Sequence, residues 1–143
     1  TGARGSTTTF VQRRIGDVLV AWENEALLVL AKPDGHQYEL VVPSLSIHAE
    51  PPVALIDRNV DARGTRAAAQ AYLEFLYTPQ GQALAAKHHF RPSRREGIDA
   101  ALLAQFKPVD LVDIAHFGGW AAAHRVHFAE GGTFDRIFQP GAR

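Results

Sequence analysis

Cysteine and methionine are both missing from the 143 residues of this chain. Without cysteine there is no disulfide, no thiolate metal site and no cysteine nucleophile, and either redox compartment is compatible with the sequence. Without methionine, the expectation is a processed or partial piece of a longer reading frame. Net charge is lacking as well. Fifteen basic side chains stand against 15 acidic ones, a formal charge of zero, so no global field draws the chain to DNA, RNA or an anionic membrane, and no nucleic-acid partner is expected. Long apolar runs are absent too. The longest, Ala26-Leu27-Leu28-Val29-Leu30-Ala31, falls far short of the roughly 20 residues of a spanning helix. Any export leader is expected to have been removed upstream of Thr1. Finally, neither Gly-x-Ser-x-Gly, His-Glu-x-x-His nor a Gly-x-x-x-x-Gly-Lys-Ser/Thr loop occurs, which leaves hydrolase, zinc-protease and nucleotide chemistry without a motif.

What is present reads as a folded α/β chain, with 46% apolar, 21% charged and 9% aromatic residues around one core at most. Gly2, Gly5 and the hydroxyl run Ser6-Thr7-Thr8-Thr9 precede Phe10, Val11 and Ile15, a pattern that predicts a short helix with a glycine-rich entrance, capped at Gly16. Val18-Leu19-Val20-Ala21-Trp22, Tyr38-Glu39-Leu40-Val41-Val42 and Val53-Ala54-Leu55-Ile56 have the length and composition of strands. Glu23 opens a helix through Leu30. Prolines 43, 51 and 52 break the pattern and mark a hinge or boundary. Beyond it the chain is mostly helical, with periodic segments at 67–77, 80–87, 99–106 and 120–129. Three strands among so many helices make a poor closed sheet.

Several residues are candidates for chemistry. Gly2-Ala3-Arg4-Gly5 ahead of a hydroxyl-rich helix start has the elements of an anion cradle, because free backbone N–H groups point out of a helix N-terminus and glycine permits close approach; a plain capped helix is the alternative. Trp22 closes an apolar run just before two acids, and its indole N–H is a donor with no acceptor capacity, suited to a fully ionised anion or to a core carbonyl. Glu23 and Glu25 have the spacing of helix-dipole partners rather than of an acid and base pair. His124, His127 and Glu130 lie three apart without a third fixed ligand position, so no metal is expected. His88 and His89, with Arg91, Arg94 and Arg95, form a basic loop that suits solvent or an acidic partner. No catalytic residue and no cofactor are expected.

Taken in order, the blocks Gly2 to Phe10, Gly16 to Leu19, Ala21 to Ala26, Pro43-Ser44 with Ala49-Glu50-Pro51, Ala71-Tyr72-Leu73, Thr78 to Gln82, Phe90-Arg91-Pro92, Phe117 to Trp120 and His127 to Asp135 resemble the later part of the periplasmic sulfate-binding proteins of ABC transporters. The resemblance implies the C-terminal part of a two-lobed, type II periplasmic binding-protein fold, α/β in class and incomplete in this chain. It divides the chain into residues 1–42, part of lobe 2 with a partial anion site; 43–57, an inter-lobe crossover or hinge; and 58–143, the helical end of lobe 1. It implies a carrier in the periplasm, not an enzyme, delivering sulfate to an ABC permease of the inner membrane, with the upstream half, or a swapped copy of this chain, as the complement. By matching positions, the backbone N–H of Ala3 and the indole N–H of Trp22 are expected to bind sulfate, with Gly2, Arg4 and Gly5 supporting. Thiosulfate or another tetrahedral oxyanion is the alternative ligand, and an interaction module without a small ligand the alternative class.

Overall fold

The computed structural model describes residues 2–49 and 51–138. Thr1, Glu50 and residues 139–143, which the expected divisions include, lie outside the described residues. The chain forms two compact units, one of Thr1–Val41 with Pro52–Lys107, the other of Val42–Pro51 with Pro108–Arg143. The sequence-based division at 43–57 and the unit boundaries thus differ, with Pro52–Lys107 grouped with the first 41 residues.

In the first unit, helix α1 (Ala3–Arg13) starts at the glycine-rich segment itself. Gly2 is its extended N-cap, and the hydroxyl run lies inside the helix, where Thr7 Oγ1 donates back to the Ala3 carbonyl at 3.1 Å. The helix therefore begins earlier than the sequence pattern implies and ends at Arg14, whose φ of 53° provides the left-handed C-cap expected of Gly16. Helix α2 (Glu23–Leu30) matches its expected span, with Trp22 as an extended N-cap and Glu23 and Glu25 in the first turn, favourably placed against the helix dipole. Helices α3 (Asp57–Ala62), α4 (Arg66–Phe75), α5 (Pro79–Lys87) and α6 (Ala100–Leu103) complete the unit. Thr78 caps α5 by accepting the Gly81 N–H at 3.1 Å, and Pro79 occupies the first turn, where its missing N–H costs nothing. The core is small: Leu27 of α2, Ala86 of α5 and Phe106, with Leu40, Ile98 and Leu102 packed against them. Gln82 ties down the loop after α5, donating to the Leu76 carbonyl at 2.7 Å and accepting the Ser93 N–H at 2.8 Å.

In the second unit, strands β1 (Leu45–Ile47) and β2 (Asp110–Val112) pair in parallel, with Ser46 opposite Leu111. Asp113 caps the turn that follows, accepting the Ala115 N–H at 2.9 Å. Helix α7 (Gly119–Ala123) widens into a π-helical turn over His124–Phe128, and α8 (Thr133–Ile137) ends the described chain.

The three expected strands are extended or irregular instead, and none pairs with another strand among the described residues. Strand composition becomes a strand only beside a hydrogen-bonding edge. Val18 and Val20 are left 83% and 94% exposed. Tyr38 packs its ring on Phe10 of α1, 5.7 Å between centroids, rather than joining a sheet. The only strand pair among the described residues forms at two three-residue segments too short to show a periodic pattern.

Candidate functional site: two helix starts joined by an arginine–glutamate pair

Ala3 and Trp22 stand at the starts of two helices in the same unit, Ala3 as the first helical residue and Trp22 as the N-cap. Ala3 is the first residue of α1, and its N–H is among the helix-start donors that have no acceptor within the helix. Gly2 has open space where a side chain would stand, so the backbone entrance is not obstructed by it. Trp22 precedes α2, its carbonyl accepting the N–H groups of Glu25 at 3.0 Å and Ala26 at 3.2 Å. Its side chain is 59% exposed rather than buried as a core tryptophan would be.

Arg4 and Glu25 connect the two helices. Arg4 Nε donates to Glu25 Oε2 at 2.8 Å and Nη2 to Oε1 at 2.9 Å, a two-pronged pair whose planar fork matches the carboxylate. Glu25 is 6% exposed. Hydrogen bonding to Arg4 holds its carboxyl below the usual glutamate range, against burial, which acts in the opposite direction. The same pair raises the Arg4 guanidinium further above its already high value. Thr7, Val11 and Leu28 line a cleft of about 30 Å³ behind this pair, space for no more than a water or two. Neither Ala3 nor Trp22 lines this cleft; both are exposed.

Glu23, next to Trp22, is held from another direction. Arg91 Nε donates to Glu23 Oε2 at 2.9 Å and Nη2 to Oε1 at 2.6 Å, and Nη2 also reaches the Lys107 carbonyl at 2.9 Å. The guanidinium carbon stands 5.3 Å from the centroid of the Phe106 ring. Both glutamates weighed as chemical groups are thus engaged by arginines, which is structural work. In the sequence Arg91 belongs to a basic loop, and nothing local pairs it with Glu23 across 68 residues.

The remaining candidates do not converge. His89 Nδ1 lies 2.6 Å from Gln105 Oε1. His127 stands 3.2 Å from Thr133 Oγ1 and edge-on to Phe117. Among the described residues, no three His, Asp or Glu side chains gather as a metal site, and no helix is long and apolar enough to cross a membrane.

Residues 1–91 match the family model of the bacterial extracellular solute-binding proteins. The chain is 50% identical over 137 residues to the sulfate-binding protein of Escherichia coli (strain K12), an alignment covering 95% of this chain and 41% of that protein. It is 51% identical over 137 residues to the sulfate-binding protein of Salmonella typhimurium, covering 95% of this chain and 41% of that protein. It is 44% identical over 141 residues to the thiosulfate-binding protein of Pseudomonas aeruginosa, covering 98% of this chain and 42% of that protein. The chain therefore spans about two fifths of the length of these relatives. With the family model matched over most of its length and the similarity running through both helix starts, the chain belongs to the bacterial extracellular solute-binding proteins.

Proposed function

We propose that this chain is part of the substrate-binding component of an ABC transporter that carries sulfate through the periplasm to a membrane permease, and that it contributes Ala3 and Trp22 to the anion site, with Gly2, Arg4 and Gly5 in support. The observation that carries the reading is the 50% identity over 137 residues to a sulfate-binding protein, beside the family match over residues 1–91, which takes in both helix starts. The geometry is compatible with it: Ala3 and Trp22 offer an N–H each, and the arginines nearby are neutralised by glutamates rather than left as counter-charges. Sulfate at neutral pH is a dianion with no proton, so donor-only groups suit it. Hydrogen phosphate brings a proton that such a pocket leaves without an acceptor, and an unpaired buried polar group discriminates strongly. The engagement of Glu23 and Glu25 by arginines favours a carrier over a catalyst. Thiosulfate is the second reading, favoured by the 44% identity to a thiosulfate-binding protein.

Calorimetric titration of sulfate, thiosulfate and phosphate into a protein of the relatives' full length, with the 143-residue chain in parallel, tests the proposal. Sulfate binding by the longer protein, with phosphate silent, is the expected result, and Trp22→Phe weakens it by about 1–3 kcal/mol, the loss of one charge-assisted hydrogen bond. Binding of no oxyanion, or an affinity indifferent to Trp22→Phe, defeats it.

A further inference from the structure

We propose that Arg91 is a positioning residue for the Trp22 indole, acting through Glu23, and so sets oxyanion affinity without touching the anion; the inference rests on the anion-site reading of Trp22. An indole donor is useful only if its single N–H is held at one point. At Trp22 the means of holding it are few. The side chain is largely exposed, and residues 14–22 upstream form no regular element. What holds its backbone is the downstream helix, since its carbonyl accepts the N–H groups of Glu25 and Ala26 in the first turn of α2. The position and heading of the Cα–Cβ bond that carries the indole therefore follow the first turn of α2.

That helix is eight residues long, too short to be stable or rigidly placed on its own, so its N-terminal turn depends on tertiary ties. Two are present and they are unequal. The Arg4 side chain that grips Glu25 is 69% exposed, on a helix whose own start is open to solvent. The Arg91 side chain that grips Glu23 is 20% exposed and meets both carboxylate oxygens of Glu23, the Lys107 carbonyl and the face of Phe106. Phe106 belongs to the same core cluster as Leu27, on α2 itself. Arg91 thus closes a loop of contacts from the residue beside Trp22 to the core beneath the helix, and so restrains α2 from turning about its axis at that end. A planar fork on two oxygens fixes direction as well as distance, which the single ammonium of lysine does not.

The test uses a protein of the relatives' full length and sodium sulfate as the probe. Arg91→Lys retains the charge and loses the fork; Glu23→Gln breaks the same pair from the other side and stands in if the first variant folds poorly. Each is expected to raise the sulfate Kd by about tenfold and to shift the Trp22 indole N–H resonance, assigned by its disappearance in Trp22→Phe. The decisive arm is a double-mutant cycle. In a Trp22→Phe background, Arg91→Lys should cost no further affinity, because the donor it positions is already gone. An equal loss in both backgrounds, or an unchanged Kd and indole resonance while Trp22→Phe weakens binding, overturns the role of Arg91 and leaves the anion site standing. Sulfate binding that is absent, or indifferent to Trp22→Phe, removes the anion site and this inference with it.

Discussion

Glu25 does more than its position in the sequence announces. Its place in the first turn of a helix accounts for a favourable dipole interaction, yet its burial and its two-pronged bond to Arg4 are long-range facts, 21 residues apart. The pair has a pH signature. Hydrogen bonding to Arg4 depresses the folded-state pKa of Glu25 below its ordinary value, so its contribution to stability is fully present above the unfolded pKa, about 4.3, and is lost as pH falls through the lower folded value. Urea midpoints measured from pH 7 downward should fall below about pH 4 more steeply in the wild type than in Glu25→Gln. Parallel curves would show that the pair contributes nothing to folding. Ala3 and Trp22 are candidates through a glycine-rich helix start, a tryptophan that closes an apolar run and the family resemblance, all of which lie in neighbouring residues.

Elements were read well where their signals are local and poorly where they need a partner. The helix at Glu23–Leu30 and that at Pro79–Lys87 announce themselves through acidic residues in the first turn, a Thr cap and a proline at the first position. Strand-like segments at Val18 and Val53 do not, because pairing is decided by what lies alongside. Gly81 illustrates a helical position where propensity and packing oppose each other. Alanine is the better helix former by about 1 kcal/mol, but a Cβ there meets the Phe75 carbonyl oxygen and stands 3.0 Å from the Leu76 Cα, both backbone. Gly81→Ala should therefore lower the urea midpoint, with a cost of about 1–3 kcal/mol from overpacking. A raised midpoint would mean that the turn before α5 can move aside freely.

At the scale of the whole molecule, no large side chain among the described residues is fully buried, and Val18, Val20, Val41, Val53 and Ile56 are exposed together with Trp22. Apolar surface of this kind binds hydrophobic dyes and pairs with itself. The 143-residue chain alone is expected to enhance anilinonaphthalene sulfonate fluorescence and to change elution volume with concentration, whereas a protein of the relatives' full length does neither. A monodisperse, dye-silent chain would show that these residues are covered in solution. By itself, the sequence determined the start of α2, the absence of thiol chemistry and, through its ordered blocks, the family, because caps, turns and motifs are written in adjacent residues. Only the tertiary structure decided that the strand-like runs stay unpaired, that Arg4 and Arg91 each grip a glutamate beside Trp22, and that Phe106 anchors one of those grips. Such pairings join residues 21 and 68 positions apart, and contacts over those distances depend on how the chain packs rather than on any local pattern.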